Sequence, residues 1–504
     1  MICLDRDWLQ EYPQELIGAI AGVAHRFQAG MYVTGGAVRD WLLGRATVDL
    51  DITVTADPFG CCRMLAETLG GAFVPLDEEE GVARMVWGAY CIDFAGLREG
   101  SSSIEEDLVR RDFTINALAV AVDPGRGTLK KPFTVIDPSD GIRDIQQGIV
   151  RVTSATVFDK DPLRLLRAYR FKATLGFVLE RKTEELAAAK AGLIRSPAAE
   201  RISAELHKIM AAPACHEVIA GMARSGLLLE IFPELHHGAG VEQPASHHLD
   251  VFDHNLAALF WIERIMADPA EFFPASGRHM TEYLQHGRVA ERLKWASLFH
   301  DLGKPYAHKI RNSRITFYNH DTRGAELFTE IAGRLRLGRE ETGQISRFIR
   351  HHMWPFHLSN AWSKTGITPR ACLRLVKAID DDLPGLFLLA MADSLAGQGP
   401  GKPPAMEEKL ARLYNYVRDV YQKSIRPVFE QPRLLTGHDL KEIFGLTPGP
   451  VFREIFSGIE DAQVEGKVRT REEAIAWVTV FLETTPPFLG RKGIKELTGR
   501  SGKL

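Results

Sequence analysis

The tract YVTGGAVRDWLLGRATVDLDITV, residues 32–54, sets two glycines, Gly35 and Gly36, after a run of strand-forming residues, with Arg39 and Asp40 just behind them. A second strand-like run follows, carrying Asp49 and Asp51 one residue apart. Glycines after a strand let backbone N–H groups approach an anion with no Cβ in the way, and the start of a following helix favours negative charge. Side chains on a strand alternate between faces, so Asp49 and Asp51 point the same way and suit two Mg²⁺ ions that clamp an attacking and a leaving oxygen. That is the equipment of phosphoryl or nucleotidyl transfer from a nucleoside triphosphate. Singly, a GG pair is more often only a tight turn and a DxD strand more often a solvated face. Their adjacency, with Arg39 and Asp40 between them, carries the reading.

The elements that must position these groups follow from periodicity. Residues 1 to about 150 alternate strand signals (MYVTGG, VDLDITVT, ARMVW, YCIDFAGL) with helical segments such as DPFGCCRMLAETLG, which predicts an α/β head with a mostly antiparallel or mixed sheet. From about Asp159 apolar residues recur at i, i+3 and i+4 in DPLRLLRAYRFKATLGF and ERISAELHKIM, so the rest is all-α. A histidine-dense helical region runs from about His247 to Asp393, and GQGPGKPP at 397–404 reads as a linker. The expected domains are a head (1–150), a helical neck (151–240), a metal-binding helical domain (241–400) and a C-terminal helical tail (401–504).

Length and composition agree with a modular chain. At 504 residues, roughly three or four domains are expected. The hydrophobic share of 45% and charged share of 25% are ordinary for a soluble protein. No apolar run reaches the ~18 residues of a membrane span, and Asp5, Arg6 and Asp7 leave no room for a signal peptide, so a cytoplasmic location is expected. Six cysteines without CxxC spacing indicate neither a zinc ribbon nor a disulfide framework, and reduced, mostly buried thiols are expected. The net charge of −3 hides local basic clusters at Arg110 and Arg111, at Arg164, Arg167, Arg170 and Lys172, and in the tail RKGIKELTGRSGKL.

The order GGAVRD then DLD resembles the polymerase-beta type of nucleotidyltransferase, and within it the bacterial tRNA nucleotidyltransferase and poly(A) polymerase family. RRDFTINALA at 110–119 resembles that family's second motif, and DPLRLLRAYRFKATLGF and ERISAEL its neck motifs. The resemblance implies a polymerase-beta-like head. In it Asp49 and Asp51 hold two Mg²⁺, and Gly35, Gly36, Arg39 and Asp40 meet the triphosphate. Arg110, Arg111, Asp112 and Asn116 meet the nucleotide, Asp161 and Arg164 read the base, and tRNA, CTP and ATP are the partners.

A physical account of base choice accompanies this. Asp161 and Arg164, at i and i+3 of one predicted helix, offer an acceptor beside a donor. Cytosine and adenine both present an exocyclic amine next to a ring-nitrogen acceptor, whereas uracil and guanine present the reverse, and a mismatch leaves buried groups unpaired. Lys160 stands where the family usually has glutamate, which keeps an enzyme adding only CC or only A in view. Asp93 reads equally as a third metal carboxylate or an arginine partner. Arg167 and Arg170 contact RNA or triphosphate, or else form ion pairs in the neck.

In the middle of the chain, HHLDVFDHNLAAL, LFHDLGKP, YNHDTRGAE, FIRHHM and MADS resemble an HD phosphohydrolase domain, with His300-Asp301 as the signature pair. The resemblance implies His254, His300, Asp301 and Asp393 around one divalent metal of unknown identity, His320 and His351 at a second, and hydrolysis of a phosphoester. The reading is therefore a template-independent enzyme adding C, A or both to the tRNA 3′ end with release of pyrophosphate. Its rivals are a poly(A) polymerase, against which the acidic Asp77, Glu78, Glu79 and Glu80 weigh, and an HD phosphohydrolase with a degenerate RNA-binding head.

Overall fold

The computed structural model describes residues 3–4, 12–79, 81–98, 100–122 and 133–484. The tail RKGIKELTGRSGKL, Glu80, and Asp5, Arg6 and Asp7 lie outside them. The chain divides into two compact units, Met1–Pro233 and Glu234–Leu504.

The first unit is built on a mixed sheet of β1 (Cys3–Leu4), β2 (Met31–Thr34), β3 (Asp49–Val54), β4 (Ala72–Asp77), β5 (Val82–Trp87), β6 (Tyr90–Gly96), β7 (Ala119–Ala121) and β8 (Phe133–Ile136). Their spatial order is β1-β8-β7-β2-β3-β6-β5-β4. The β3–β6 pair is parallel, and its neighbours β2–β3 and β5–β6 are antiparallel. The sequence signals located β2, β3, β5 and β6 but not β4, whose residues are mostly exposed and lack the alternation of a half-buried strand.

Along β3, Leu50 and Ile52 are buried while Asp49 and Asp51 stand on the open face. Behind the sheet the helix Pro58–Leu69 buries Cys61, Cys62 and Leu65 against β5 and β6, each large apolar side chain contributing roughly 1.5–3 kcal/mol. Asp57 starts that helix by accepting from the Phe59 and Gly60 amides. Two short strands, β9 (Ile149–Val150) and β10 (Val178–Leu179), pair in parallel and lead into the helices Arg164–Leu175 and Ala199–Ala211, which pack on each other.

The second unit is helical around Leu383–Ala396, a helix whose residues are nearly all buried. A helix apolar all round belongs at the centre of a bundle, so Asp393 on it is an anomaly that needs a partner. A hairpin of β11 (Lys309–Arg311) and β12 (Arg314–Thr316) turns through Asn312 and Ser313, at φ 48° and 59°. The GQGPGKPP segment, expected as a linker, is instead pinned: Gly399 and Gly401 donate to the carbonyls of Ser246 and Ala245. A Cβ on Gly399 would come within 2.3 Å of the Ala245 oxygen, so its glycines serve close backbone approach rather than flexibility. The helix Met406–Val420 continues the same core through Tyr414, which packs on Phe387, and a smaller core centred on Leu440, Ile455 and Val478 follows it. Among the described residues no helix is long and apolar enough to cross a membrane.

Candidate functional site

Register decides which acids meet. Pairing sets Thr34 beside Asp51 on one side and Asp93 beside it on the other, so Asp49, Asp51 and Asp93 share one open face over a cleft of about 910 Å³. Arg84 grips Asp93 through two hydrogen bonds of 2.7 and 2.8 Å, so Asp93 is an arginine partner that also lines the cleft. The protein around Asp51 lifts its pKa above the usual carboxylate range, Arg111 and Arg167 oppose this, and Asp93 and Asp49 add to it. Three carboxylates on one face, with burial raising Asp51 above its ordinary range, fit a divalent cation.

Gly35 has φ +71°, and a Cβ there would lie 3.2 Å from both Arg111 Nη1 and Asp51 Oδ2. Its amide does not meet an anion as expected, because it already donates to the Leu118 carbonyl at 3.0 Å. Gly35 serves instead as the bare Cα that lets Asp51 and Arg111 close over the strand end. Gly35→Ala should lower kcat for nucleotide addition by about 10²-fold with the fold retained, through misplacement of Asp51. Steady-state kinetics beside a melting curve check it.

Behind Gly35 the helix Gly36–Leu42 buries Val38 and Trp41 and turns Arg39 and Asp40 toward the cleft. Arg39 donates to Asp40 (2.9 Å) and to Asn116 Oδ1 (2.7 Å), and Asn116 Nδ2 donates to Asp112 (3.3 Å). Arg167 completes the chain with bonds of 2.8 and 2.5 Å to Asp112 Oδ2. Arg170 pairs with Glu205 at 2.7 Å. Arg167 and Arg170 thus form the neck ion pairs while also lining the cleft.

Asp112 therefore orients arginines rather than opening onto the cleft as a free carboxylate. Burial works against its charge, but Arg167, the Phe113 amide and Asn116 outweigh that and bring it down to about 2. Its stabilisation, on the order of 2 kcal/mol, is complete above the unfolded carboxylate range and is lost as pH falls through about 2. Arg167→Ala leaves a buried carboxylate without its cation and should cost about 3 kcal/mol, with acid unfolding beginning at higher pH. Urea titration across pH reads both.

Two expected placements are corrected. Arg110 does not line the cleft; it donates to Ser101 Oγ from the turn that follows the helix Ile104–Leu108, while the next residue, Arg111, lines the cleft. Arg111 donates to Asp107 and to Thr53 Oγ1 at 3.0 and 2.9 Å. Asp161 and Arg164 are not on one helix: Pro162 forces Asp161 into extended backbone (φ −147°), and the helix begins at Arg164. They remain neighbours, Arg164 Nε lying 4.0 Å from Asp161 Oδ2. Asp161 also accepts from Arg201 at 3.3 Å, and Arg164 donates to the Val157 carbonyl at 3.4 Å. Lys160 is exposed and outside the cleft.

In the second unit four imidazole Nε2 atoms converge on Asp301: His300 at 3.3 Å, His320 at 3.4 Å, His254 at 3.5 Å and His352 at 3.6 Å. Asp393 Oδ1 lies 3.1 Å from His254. The Nδ1 atoms of His300, His320 and His352 each lie 2.7–2.9 Å from a backbone carbonyl, so in a neutral ring Nδ1 carries the proton and Nε2 a lone pair. Lone pairs facing a buried carboxylate need a cation, and Lys304, 2.5 Å from Asp301, is a single one. Neutral imidazoles and carboxylates with their ring tautomers fixed by carbonyls are a donor set for divalent metal.

The expected ligand His351 is replaced here by His352. The helix Arg339–His351 ends just before it, and the next step of rotation points His352 inward while His351 lies against Trp354 at 5.3 Å. His247, not anticipated, joins His254 and Asp393 in a further group of ligand atoms, all within 4.8 Å of one another.

Comparisons with known proteins bear on both sites. Residues 31–151 match the Poly A polymerase head domain, 176–238 the probable RNA and SrmB-binding site of polymerase A, 251–395 the HD domain and 423–478 the putative tRNA nucleotidyltransferase domain 2. The A-adding tRNA nucleotidyltransferase of Deinococcus radiodurans is 34% identical over 475 residues, spanning 91% of this chain and 97% of that protein. The chain belongs to the tRNA nucleotidyltransferase and poly(A) polymerase family. The CC-adding tRNA nucleotidyltransferase of Thermus thermophilus is 31% identical over 454 residues, 89% of this chain and 92% of that one. An apo CCA-adding enzyme shares the fold with a TM-score of 0.66 at 22% identity, over 97% of this chain and 99% of that one. The Thermotoga maritima CCA-adding enzyme complexed with tRNA does so with a TM-score of 0.61 at 23% identity, over 93% and 95%. The polymerase-type head and the HD domain are both of kinds that use divalent metals.

Across this nucleotidyltransferase, sequence reasoning did not single out Arg98 or Arg201, which line the cleft. Arg201 lay within the quoted ERISAEL, and its signal was a cation one helical turn from Glu205, the Arg170 partner. Tandem histidines in HHLD and RHHM hid His247 and His352, because adjacency in sequence does not say which ring turns inward.

Proposed function

We propose that this chain is a template-independent tRNA nucleotidyltransferase that adds residues of the CCA end to a tRNA 3′ terminus from CTP or ATP, and that its own product is the terminal A. The observation that carries the reaction class is the trio Asp49, Asp51 and Asp93 on one open face beneath an arginine-lined cleft. Asp49 and Asp51 would hold two Mg²⁺ ions. Divalent cations there lower the pKa of an attacking hydroxyl and steady a leaving pyrophosphate.

The chain's own groups do the rest. Arg39 and Arg111 bind the triphosphate, each held in place by carboxylate or amide partners so that no reorganisation is needed during reaction. Asp161 and Arg164 offer the acceptor and donor that favour C and A. Arg164 is steadied by a backbone carbonyl and by Asp161, not by the side chain at 160, which faces solvent. A guanidinium fixed by backbone has one orientation, which favours one nucleotide over a switch between two. The 34% identity to the A-adding relative over 97% of its length supports the same product.

The test uses tRNA transcripts ending before CCA, after C and after CC, each with CTP, ATP or both. A single A on the CC-ended transcript alone is expected. Addition of CC or of all three nucleotides would overturn the narrower product, and long A tails would move the chain to poly(A) synthesis. For the HD domain the proposal is a divalent metal bound by His254, His300, Asp301 and Asp393, with His320 and His352 serving a second, and phosphoester hydrolysis as its chemistry.

A further inference from the structure

From Leu302 to His320 the chain carries no acidic residue but has Lys304, Lys309, Arg311 and Arg314, in a protein whose net charge is −3. The last three stand exposed on the β11–β12 hairpin and make no ion pair with a described carboxylate. Exposed apolar surface is interleaved with them: Tyr306 is 46%, Ile310 70% and Tyr318 65% exposed, and Arg311 lies over the Tyr318 ring at 5.2 Å.

The hairpin's return strand runs directly into a hollow of about 510 Å³. Thr316, Phe317 and Tyr318 of the return strand and the residues after it line it together with Phe356, His320, Asp321, Asp393 and Lys304, so the hollow joins the hairpin to the histidine cluster. A hollow of that size lies within the range of small-molecule sites, roughly 300–1,000 Å³. Cations that track a backbone beside aromatic rings that stack bases are the means by which single strands are held without sequence preference.

We propose that the β11–β12 hairpin and the hollow behind it dock a single-stranded RNA end, with phosphates along Lys309, Arg311 and Arg314, a base stacked on Tyr318, and the terminal nucleotide directed toward the histidine cluster. This rests on the reading of the chain as an RNA-handling enzyme, and it needs no turnover at the cluster.

The test irradiates the full chain with a short single-stranded RNA carrying 4-thiouridine at its 3′ end and identifies the crosslinked peptides by mass spectrometry. Crosslinks within residues 305–322 are expected. They should fall by about tenfold or more in Lys309→Glu/Arg311→Glu/Arg314→Glu, and should decline more steeply with added salt in the parent than in that variant. Tyr318→Ala, which keeps the charge, should lose the crosslink at that position, and a melting curve for each variant excludes unfolding. Crosslinks confined to residues 31–238 would overturn the proposal and leave the nucleotidyltransferase reading standing. A hairpin crosslink indifferent to the charge reversal would also overturn it. No crosslink anywhere would likewise overturn the proposal.

Discussion

Asp51→Asn should lower nucleotide addition by about 10³-fold or more, equivalent to about 4 kcal/mol of transition-state stabilisation, without unfolding the head. The fold does not need the charge. Asp51 stands among Asp49 and Asp93 in a setting where burial already raises its pKa, so in metal-free protein its ionised form is held at a cost. An isosteric amide relieves that, and metal-free Asp51→Asn should melt at the same temperature as the parent or higher. Added Mg²⁺ should raise the melting temperature of the parent more than that of the variant, because only the parent keeps the carboxylate set of the head while both keep the HD cluster. A variant that kept near-parental addition, or one that lost stability outright, would remove Asp51 from the reacting centre.

Asp301→Asn should strip the HD domain of its metal and leave nucleotide addition by the head in place. Both carboxylate oxygens lie in the middle of the cluster, Oδ2 near His254 and His300 and Oδ1 near His320 and His352. Loss of that one residue therefore breaks both ligand groups, and apparent metal affinity should fall by at least about 100-fold, the upper end of what even an outer-sphere change costs. His352→Ala should weaken only the group that contains His320, while His351→Ala, its ring against Trp354, should leave metal content alone. Metal analysis after dialysis against Mn²⁺ reads each variant directly. If His351→Ala emptied the site and His352→Ala did not, the inward residue would have been misassigned. Hydrolysis of a generic phosphoester, measured in parallel, should follow metal content.

Two classes of feature separate in this chain. Those legible in the sequence are the ones whose geometry is local. The spacing of Asp49 and Asp51 needs only the two-residue period of a strand to share a face, and Gly35 at the strand end marked a close approach, though to Asp51 and Arg111 rather than to an anion. His300 and Asp301, adjacent in the chain, both proved to face the cluster. The strands β2, β3, β5 and β6 and the helices after Asp159 followed from their apolar periods for the same reason.

What only the tertiary structure decided depended on direction and distance beyond a turn. Asp93 meets Asp51 because β6 returns parallel to β3, a pairing that no local pattern specifies. Arg201 reaches Asp161 over 40 residues of chain, and Arg167 of the neck reaches Asp112 of the head over 55. Where neighbours of one type stand side by side at the end of a helix, as at His351 and His352, about 100° of rotation per residue separates an inward from an outward side chain, and in the turn at Arg110 and Arg111 the two likewise part. Periodicity cannot resolve that when the helix ends at the very residue in question. Pro162 did announce its effect in the sequence, since the residue before a proline avoids helical backbone, yet the helical period around it was the stronger signal. Chemistry was written in residue type and short spacing; the partners that set each charge and aim each ring came from packing.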